Sequence, residues 1–242
     1  MLTLSCGTWN VHRAKGQDGV IGPVRVVDAI GTALASHATD VLALQEADGE
    51  CRPHARILDV ARITELTSLI SVHDNPALRW GPQSDGFLGT ILFVHPRFEK
   101  THADVIDLPG HCHRGAISVE VEGDRKVFRI VSAHLSLSQP LRIIQMRIIG
   151  QYMRRRPRMQ TILLGDLNEW RPWGGLALSE KTLGTKLRGP ARATFPTSRP
   201  FLPLDRILTD APGTVQDVRV IDTVETNLAS DHRPLIGQVT IP

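Results

Sequence analysis

Apolar residues along this chain fall into short β-rich runs, separated by polar segments that carry most of the Gly and Pro. The runs are Leu2 to Thr8, Val41 to Leu44, Gly89 to Val94, Ala116 to Val121, Val127 to Ala133, Thr161 to Leu164, Leu204 to Leu208 and Pro234 to Ile241. Several alternate with period two, as in Ile-Ser-Val-Glu-Val from Ile117 to Val121, the pattern of a strand with one buried face. Two stretches repeat at three and four instead. Val24, Val27, Ile30 and Leu34 predict a helix from about Pro23 to Ser36 with proline near its start. Leu141, Ile144, Ile148 and Tyr152 predict a second helix, Leu141 to Arg156, that ends before Pro157. Strands outnumber helices, and two sheets packed face to face with helices outside are the natural way to bury that many strands.

Composition agrees with a buried core. The chain has 242 residues, of which 41% are apolar, and no repeat, low-complexity tract or linker interrupts it, so a single domain over 1–242 is the simplest partition. No apolar run approaches the roughly 18 residues of a membrane span, and the start, Met-Leu-Thr-Leu-Ser-Cys-Gly, lacks the cationic and apolar regions of a secretory signal. A cytoplasmic monomer without integral membrane association is expected. The net charge of +3 is a mild basic lean. Cys6, Cys51 and Cys112 form no CxxC, which disfavours a disulfide framework or thiolate zinc site and predicts buried reduced thiols. The basic run Arg154, Arg155, Arg156, Arg158 reads as a solvated helix end or a polyanion contact.

Most residues able to do chemistry stand where an apolar run stops. Asn10 follows the first run, Glu46 the second, His134 follows Ile-Val-Ser-Ala, and Asp166 and Asn168 follow Thr-Ile-Leu-Leu-Gly; Asp205 opens a run, and Asp231 with His232 precede another. At a strand end a rigid sheet hands the chain to a loop, so side chains there are held firmly yet face solvent. Gathered on one rim, they make an acidic pocket with two imidazoles. Carboxylates and amides in one cleft call for a hard divalent cation, Mg²⁺ or Mn²⁺, which suits phosphoryl chemistry. Each motif alone has a plain structural use, as a turn, a cap or a strand end. Their joint occurrence in a fixed order is what distinguishes them.

That order is Asn10, Leu-Gln-Glu at Leu44 to Glu46, Arg-Gly-Ala at Arg114 to Ala116, Ser-Ala-His-Leu-Ser at Ser132 to Ser136, Gly-Asp-Leu-Asn at Gly165 to Asn168, Leu-Asp-Arg-Ile-Leu at Leu204 to Leu208 and Ser-Asp-His-Arg-Pro-Leu at Ser230 to Leu235. It resembles the endonuclease/exonuclease/phosphatase superfamily, the DNase-I-like metal-dependent phosphoesterases, over residues 8–236. Within it the chain is most similar to a small bacterial subgroup, through its Thr8 to Gly19 start, its Gly165 to Trp170 segment and its Thr194 to Leu208 segment. One departure is visible: where relatives often carry Gly-Asn before the third strand, this chain reads Gly-Phe-Leu-Gly-Thr-Ile-Leu from Gly86 to Leu92.

The resemblance implies a four-layer α/β sandwich, two mixed sheets flanked by helices, with the site at one end. It implies Glu46 as principal Mg²⁺ or Mn²⁺ ligand, with Asn10 beside it and Asp231 a further ligand. Asp166 would orient or deprotonate the attacking water, and Asn168 would bond the phosphate or nucleophile. His232, paired with Asp205, and His134 would contact the phosphate, and Arg114 would supply it a fixed positive charge. The implied reaction is one-step, in-line attack of water on a phosphodiester or phosphomonoester. A rival from another class is a catalytically silent domain that binds nucleic acid or another anionic partner; a silent relative would be expected to have lost Glu46, Asp166 or a histidine, and none is lost. Substrate stays open among nucleic acid, lipid headgroups and small phosphodiesters, with specific DNA recognition disfavoured by the 5% aromatic content and small net charge.

Residues near the motifs have secondary readings. His12, Arg13 and Lys15 stand just past the first strand, where they line the rim or simply solvate a loop. Trp170 and Trp173 follow Gly-Asp-Leu-Asn closely enough to overhang the pocket, stacking on a base, packing on a lipid chain or packing the loop itself. Arg142 and Gln145, three apart on the second helix, share a face and are expected to brace the His134 loop.

Overall fold

In a computed structural model, which describes residues 1–34, 37–110 and 114–242, twelve strands form two six-stranded sheets. Ser36 of the expected first helix and Cys112 lie outside the described residues.

The first sheet has the order β11 (Thr214–Val220), β12 (Leu235–Ile241), β1 (Leu2–Asn10), β2 (Val41–Gln45), β4 (Ile91–Val94), β3 (Ile70–Ser71). The second has β5 (Glu99–Leu108), β6 (Arg114–Gly123), β7 (Lys126–Ala133), β8 (Gln160–Asp166), β10 (Asp205–Asp210), β9 (Leu187–Arg188). Each is mixed: β1 and β2 are parallel, as are β7 and β8, and the other pairings are antiparallel.

Period-two alternation in the central strands creates three apolar interfaces and hence four layers. Val41 and Ala43 of β2 face the other sheet, while Leu42 and Leu44 face helices. Likewise Ile162 and Leu164 of β8 enter the inter-sheet core, and Leu163 turns outward. The first sheet is covered by α1 (Pro23–Ala33), α2 (Val60–Thr67) and α5 (Val224–Ala229), the second by α3 (Gln139–Arg155) and α4 (Glu180–Leu183). The arrangement is the DNase-I-like α/β sandwich that the strand count and the resemblance imply.

Both expected helices exist; α1 buries Val27 and Ile30 as its spacing suggests, with Leu34 just past its end, while α3 is rotated from the face its apolar spacing suggests. Val26, Val27, Ala29, Ile30 and Ala33 are buried in α1, whereas Val24 is exposed. In α3 the buried face is Arg142, Gln145, Met146, Ile149 and Gly150, and Ile144 is exposed. Gly150 explains the rotation, since a Cβ there would lie 2.1 Å from Leu183 O, so α3 turns its one side-chain-free position toward α4. Cys6 is buried, and its thiol pKa is raised by burial and by Asp40. Cys51 corrects the expectation of buried thiols: it sits exposed in a loop. Of the basic run, Arg156 is not a solvated end, because its guanidinium donates to Glu120 at 3.0 and 2.8 Å beside Arg129.

Candidate active site

Strand direction puts the chemistry at one end. The C-termini of the parallel pair β1 and β2 register Asn10 with Gln45, so Asn10 and Glu46 emerge together. The C-termini of the second parallel pair release His134 and Asp166, and antiparallel β10 begins at Asp205 directly opposite Asp166. His232 precedes β12, whose first residue Leu235 pairs with Thr8 of β1. Arg114 opens β6, antiparallel to β7, and so lies beside the His134 loop.

These ends meet across the seam between the sheets. Asn10 Nδ2 donates to Asp166 Oδ2 at 2.9 Å and lies 3.4 Å from Glu46 Oε1. His134 Nε2 is 3.5 Å from Asp166 Oδ2 and 3.9 Å from Glu46 Oε1. His232 Nε2 is 3.9 Å from Asp166 Oδ2, and its Nδ1 bonds Asp205 Oδ2 at 2.9 Å. Thr194 Oγ1 donates to the same Asp205 oxygen, and the Phe195 ring packs on the imidazole at 4.8 Å. Asn10, His134, Asp166, Asn168, Asp205 and His232 are all buried.

Backbone geometry fixes the aim of the side chains. Gly165 has φ +137°, and a Cβ there would lie 2.0 Å from Ala133 O, so only glycine lets β8 run this close to β7 just before Asp166. Glu46 and Asn168 hold φ of 54° and 50°, costly values for non-glycine residues that are retained where the surroundings enforce them. Asn168 N donates to Asp166 Oδ1 at 3.0 Å, and one of its Nδ2 protons goes to Leu135 O at 2.9 Å, tying the loops after β7 and β8 together.

Arg142 and Gln145 brace the His134 loop as their spacing suggests. Arg142 Nη1 donates to the carbonyls of Ser136 and Leu137, at 3.1 and 2.6 Å, and Ser136 N donates to Gln145 Oε1 at 2.8 Å. The sequence reading missed Glu169 and Arg206. Fully buried Glu169 accepts from Arg171 and faces Arg142 at 3.7 Å, while Arg206 donates to the carbonyls of Glu169, Arg171, Pro172 and Pro203. A charged residue directly after each of the Gly-Asp-Leu-Asn and Leu-Asp motifs was the available signal.

The two imidazoles are driven to opposite protonation states. Burial disfavours a charged His232, but Asp205, its hydrogen bond, Asp166 and Asp231 outweigh that and push the pKa up to about 10. Burial, with Arg114, His232 and Arg13 nearby, holds His134 well below its usual value. Burial also raises Asp166 above the ordinary carboxylate range, against the pull of His232.

Beyond Glu46 and His134 the site opens into a cleft of about 400 Å³ lined in part by Arg13, Arg52, Arg114 and Glu50. Arg13 joins the site as an ion-pair partner of Glu46, Nη1 to Oε2 at 2.5 Å. His12 pairs on the rim with Asp231, Nδ1 to Oδ1 at 3.5 Å, and the His12 amide donates to Asn10 Oδ1. Thr90, in the stretch that departs from relatives, reaches Gly115 O with its hydroxyl at 3.4 Å, and Gly89 O accepts from Ala47 N beside Glu46. Trp170 and Trp173 are not packed away: they are 47% and 77% exposed, with Arg171 lying 4.8 Å over the Trp170 ring.

Among the described residues, one trio of His, Cys, Asp or Glu ligand atoms lies within 4.8 Å of one another, that of Asp166, Asp205 and His232. An imidazolium whose Nδ1 is engaged by Asp205 is a poor metal donor. The oxygens that suit a hard cation are instead those of Glu46, whose buried Oε2 has no aligned hydrogen bond, Asp231, whose Oδ1 likewise has none, and Asn10. Asn10 turns Nδ2 to the carboxylates and Oδ1 to the His12 amide at 2.9 Å, so it becomes an oxygen donor only with its amide turned over.

A family model described as Endonuclease/Exonuclease/phosphatase family matches residues 7–232. No curated protein matches the sequence. Among solved structures, a functionally unknown conserved protein from Enterococcus faecalis V583 superposes with TM-score 0.75 at 17% identity, covering 99% of this chain and 100% of that one. An endonuclease/exonuclease/phosphatase from Bacteroides vulgatus gives 0.73 at 15%, covering 100% of both. D. rerio TDP2 complexed with single strand DNA product gives 0.70 at 18%, again covering 100% of both. At these identities the likeness speaks to fold.

Proposed function

This chain belongs to the endonuclease/exonuclease/phosphatase family, and from that premise we propose that it is a divalent-metal-dependent phosphoesterase, hydrolysing a phosphodiester or phosphomonoester by in-line attack of water. Family membership supports phosphoesterase activity in general. The observation that carries the finer reading is the convergence of Asn10, His134, Asp166 and the Asp205–His232 pair within hydrogen-bond or ion-pair reach across two sheets.

Mg²⁺ or Mn²⁺ would be held by Glu46, Asn10 and Asp231. When bound, such an ion polarises a phosphoryl oxygen and neutralises developing charge. Asp166 takes the proton of the attacking water. Its raised pKa brings it nearer the operating pH, where a general base is most effective, and Asn168 N holds its Oδ1 in place. His232 presents a charged Nε2–H to the phosphoryl oxygens, while Asp205 on Nδ1 fixes its ring and charge. Neutral His134 donates a hydrogen bond, and Arg114, whose buried Nε has no partner among the described residues, offers a fixed cation. Asn168 keeps its second amide proton for the phosphate or nucleophile.

The test is hydrolysis of bis(p-nitrophenyl) phosphate, an oligonucleotide, phospholipids and inositol phosphates with Mg²⁺, Mn²⁺ or EDTA. Turnover that needs the metal and is lost in Asp166→Ala supports the proposal. Silence on every substrate with either ion overturns it in favour of an anion-binding domain.

A further inference from the structure

Three successive residues after β1, His12, Arg13 and Ala14, hold φ of 46°, 52° and 58°. One non-glycine residue in this region is costly, and a run of three persists only where its surroundings hold it. Here the run is pinned to the end of β2: Val11 N donates to Gln45 O at 2.9 Å, and Arg13 N to Glu46 O at 3.0 Å. So pinned, its polar groups meet each oxygen donor that suits a divalent cation. The His12 amide donates to Asn10 Oδ1 at 2.9 Å, His12 Nδ1 lies 3.5 Å from Asp231 Oδ1, and Arg13 Nη1 lies 2.5 Å from Glu46 Oε2. Arg13 has a second carboxylate, Glu50, whose Oε2 is 3.7 Å from Nη2, and both residues line the cleft with Arg114 and His134.

We propose that Arg13 is the built-in counter-ion of Glu46, a positioning residue that yields this carboxylate to the divalent cation and passes to Glu50, leaving its guanidinium in the cleft beside Arg114. The exchange rests on Glu46 being a cation ligand of a metal-dependent phosphoesterase. The Glu46 side chain is 12% exposed, and a carboxylate so far from water needs a positive partner. Its Oε1 already faces Asn10 Nδ2 at 3.4 Å and His134 Nε2 at 3.9 Å. Oε2 is therefore the oxygen with lone pairs to spare, and Arg13 sits on it. A guanidinium at that distance repels a second cation on the same oxygen, so the two partners compete. Glu50 is 54% exposed, and a pair made there is weak. A guanidinium resting on it stays open to a phosphoryl anion. The left-handed turn thus does two jobs in sequence: it neutralises the buried acid, then supplies positive charge to the cleft.

The experiment measures Mn²⁺ binding to the full chain after EDTA treatment, by electron paramagnetic resonance of the free ion. Arg13→Met is expected to bind Mn²⁺ about tenfold more tightly than wild type. Arg114→Met, which removes another cation of the same cleft, should tighten binding far less, and Arg13→Met in a Glu46→Gln background should change it little. Thermal unfolding gives a second readout: Arg13→Met should melt below wild type in EDTA and level with it in saturating Mn²⁺. Unchanged Mn²⁺ affinity in Arg13→Met overturns the proposal. Equal tightening by Arg114→Met also overturns it, in favour of the general field of the cleft. Weaker binding overturns it in favour of an Arg13 that stays on Glu46 and aims it. A melting point lowered equally with and without Mn²⁺ reduces the pair to a structural one and overturns the exchange. Absence of saturable Mn²⁺ binding by wild type and Arg13→Met alike removes the ligand set and the proposal together. The expected affinities with no hydrolysis of any phosphoester uphold the exchange and overturn the phosphoesterase reading alone.

Discussion

His232 Nδ1 stands 2.9 Å from Asp205 Oδ2, and this buried bond favours the charged form of His232 while burial keeps His134 neutral. In Asp205→Asn the largest attraction is gone while burial, Asp166 and Asp231 remain, so the His232 pKa should fall from about 10. Titration of the imidazole carbons by NMR checks this. A His232 that still titrates near 10 in the variant would show that Asp205 is not the cause.

The same two groups shape stability against pH. His232 binds its proton more tightly folded than unfolded, so its contribution is complete below about pH 6.5 and is lost as pH rises through about 10. His134 behaves oppositely: its folded pKa is depressed, so its contribution is present above about 6.5 and is lost as pH falls. Urea midpoints across this range should decline on both sides, and His134→Gln should flatten the acid side alone.

Asp166→Ala is expected to lower turnover by about 10² to 10⁴, the usual worth of a general base, with its circular dichroism unchanged. The pH–rate profile should have an acid limb above the ordinary carboxylate range, following the raised Asp166 pKa.

Glu46→Ala should raise the Mg²⁺ concentration needed for half-maximal activity, measured by titrating an EDTA-treated sample. Unchanged activation would remove Glu46 from the ligand set. Arg13, which loses the nearer of its two carboxylate partners in this variant, would keep Glu50 at 3.7 Å.

Gly165→Ala places a Cβ against Ala133 O at a φ that alanine avoids. A loss of about 2 kcal/mol or more is expected from strain and displaced packing, read by chemical denaturation. Arg142→Met should cost a similar amount, about 2–4 kcal/mol, since it leaves the Ser136 and Leu137 carbonyls and part of the Glu169 charge unserved.

The central strands were legible in the sequence because both faces are buried and their apolar runs are unbroken, as in Val41 to Leu44 and Thr161 to Leu164. The edge strands were not. Glu99–Leu108 and Thr214–Val220 interleave exposed polar side chains with their apolar ones, so no unbroken hydrophobic run separates them from loops. The face of α3 was misread because Arg142 and Gln145 are buried by hydrogen bonding to the backbone, which apolar periodicity cannot register. Site residues were readable as strand-end motifs, and the structure brings Asn10, His134, Asp166, Asp205 and His232 together. Asp231 pairs with His12 at the 3₁₀ turn His12–Ala14, a contact that local pattern does not announce.

The hydrogen bond from Asn10 to Asp166 joins a residue of one sheet to a residue of the other. Each ladder can therefore survive intact while the machinery is dismantled, if the two slabs creep past each other by an ångström. Heat or mild denaturant should silence turnover before spectroscopy registers any melting, which makes catalysis a vernier for the alignment of the halves.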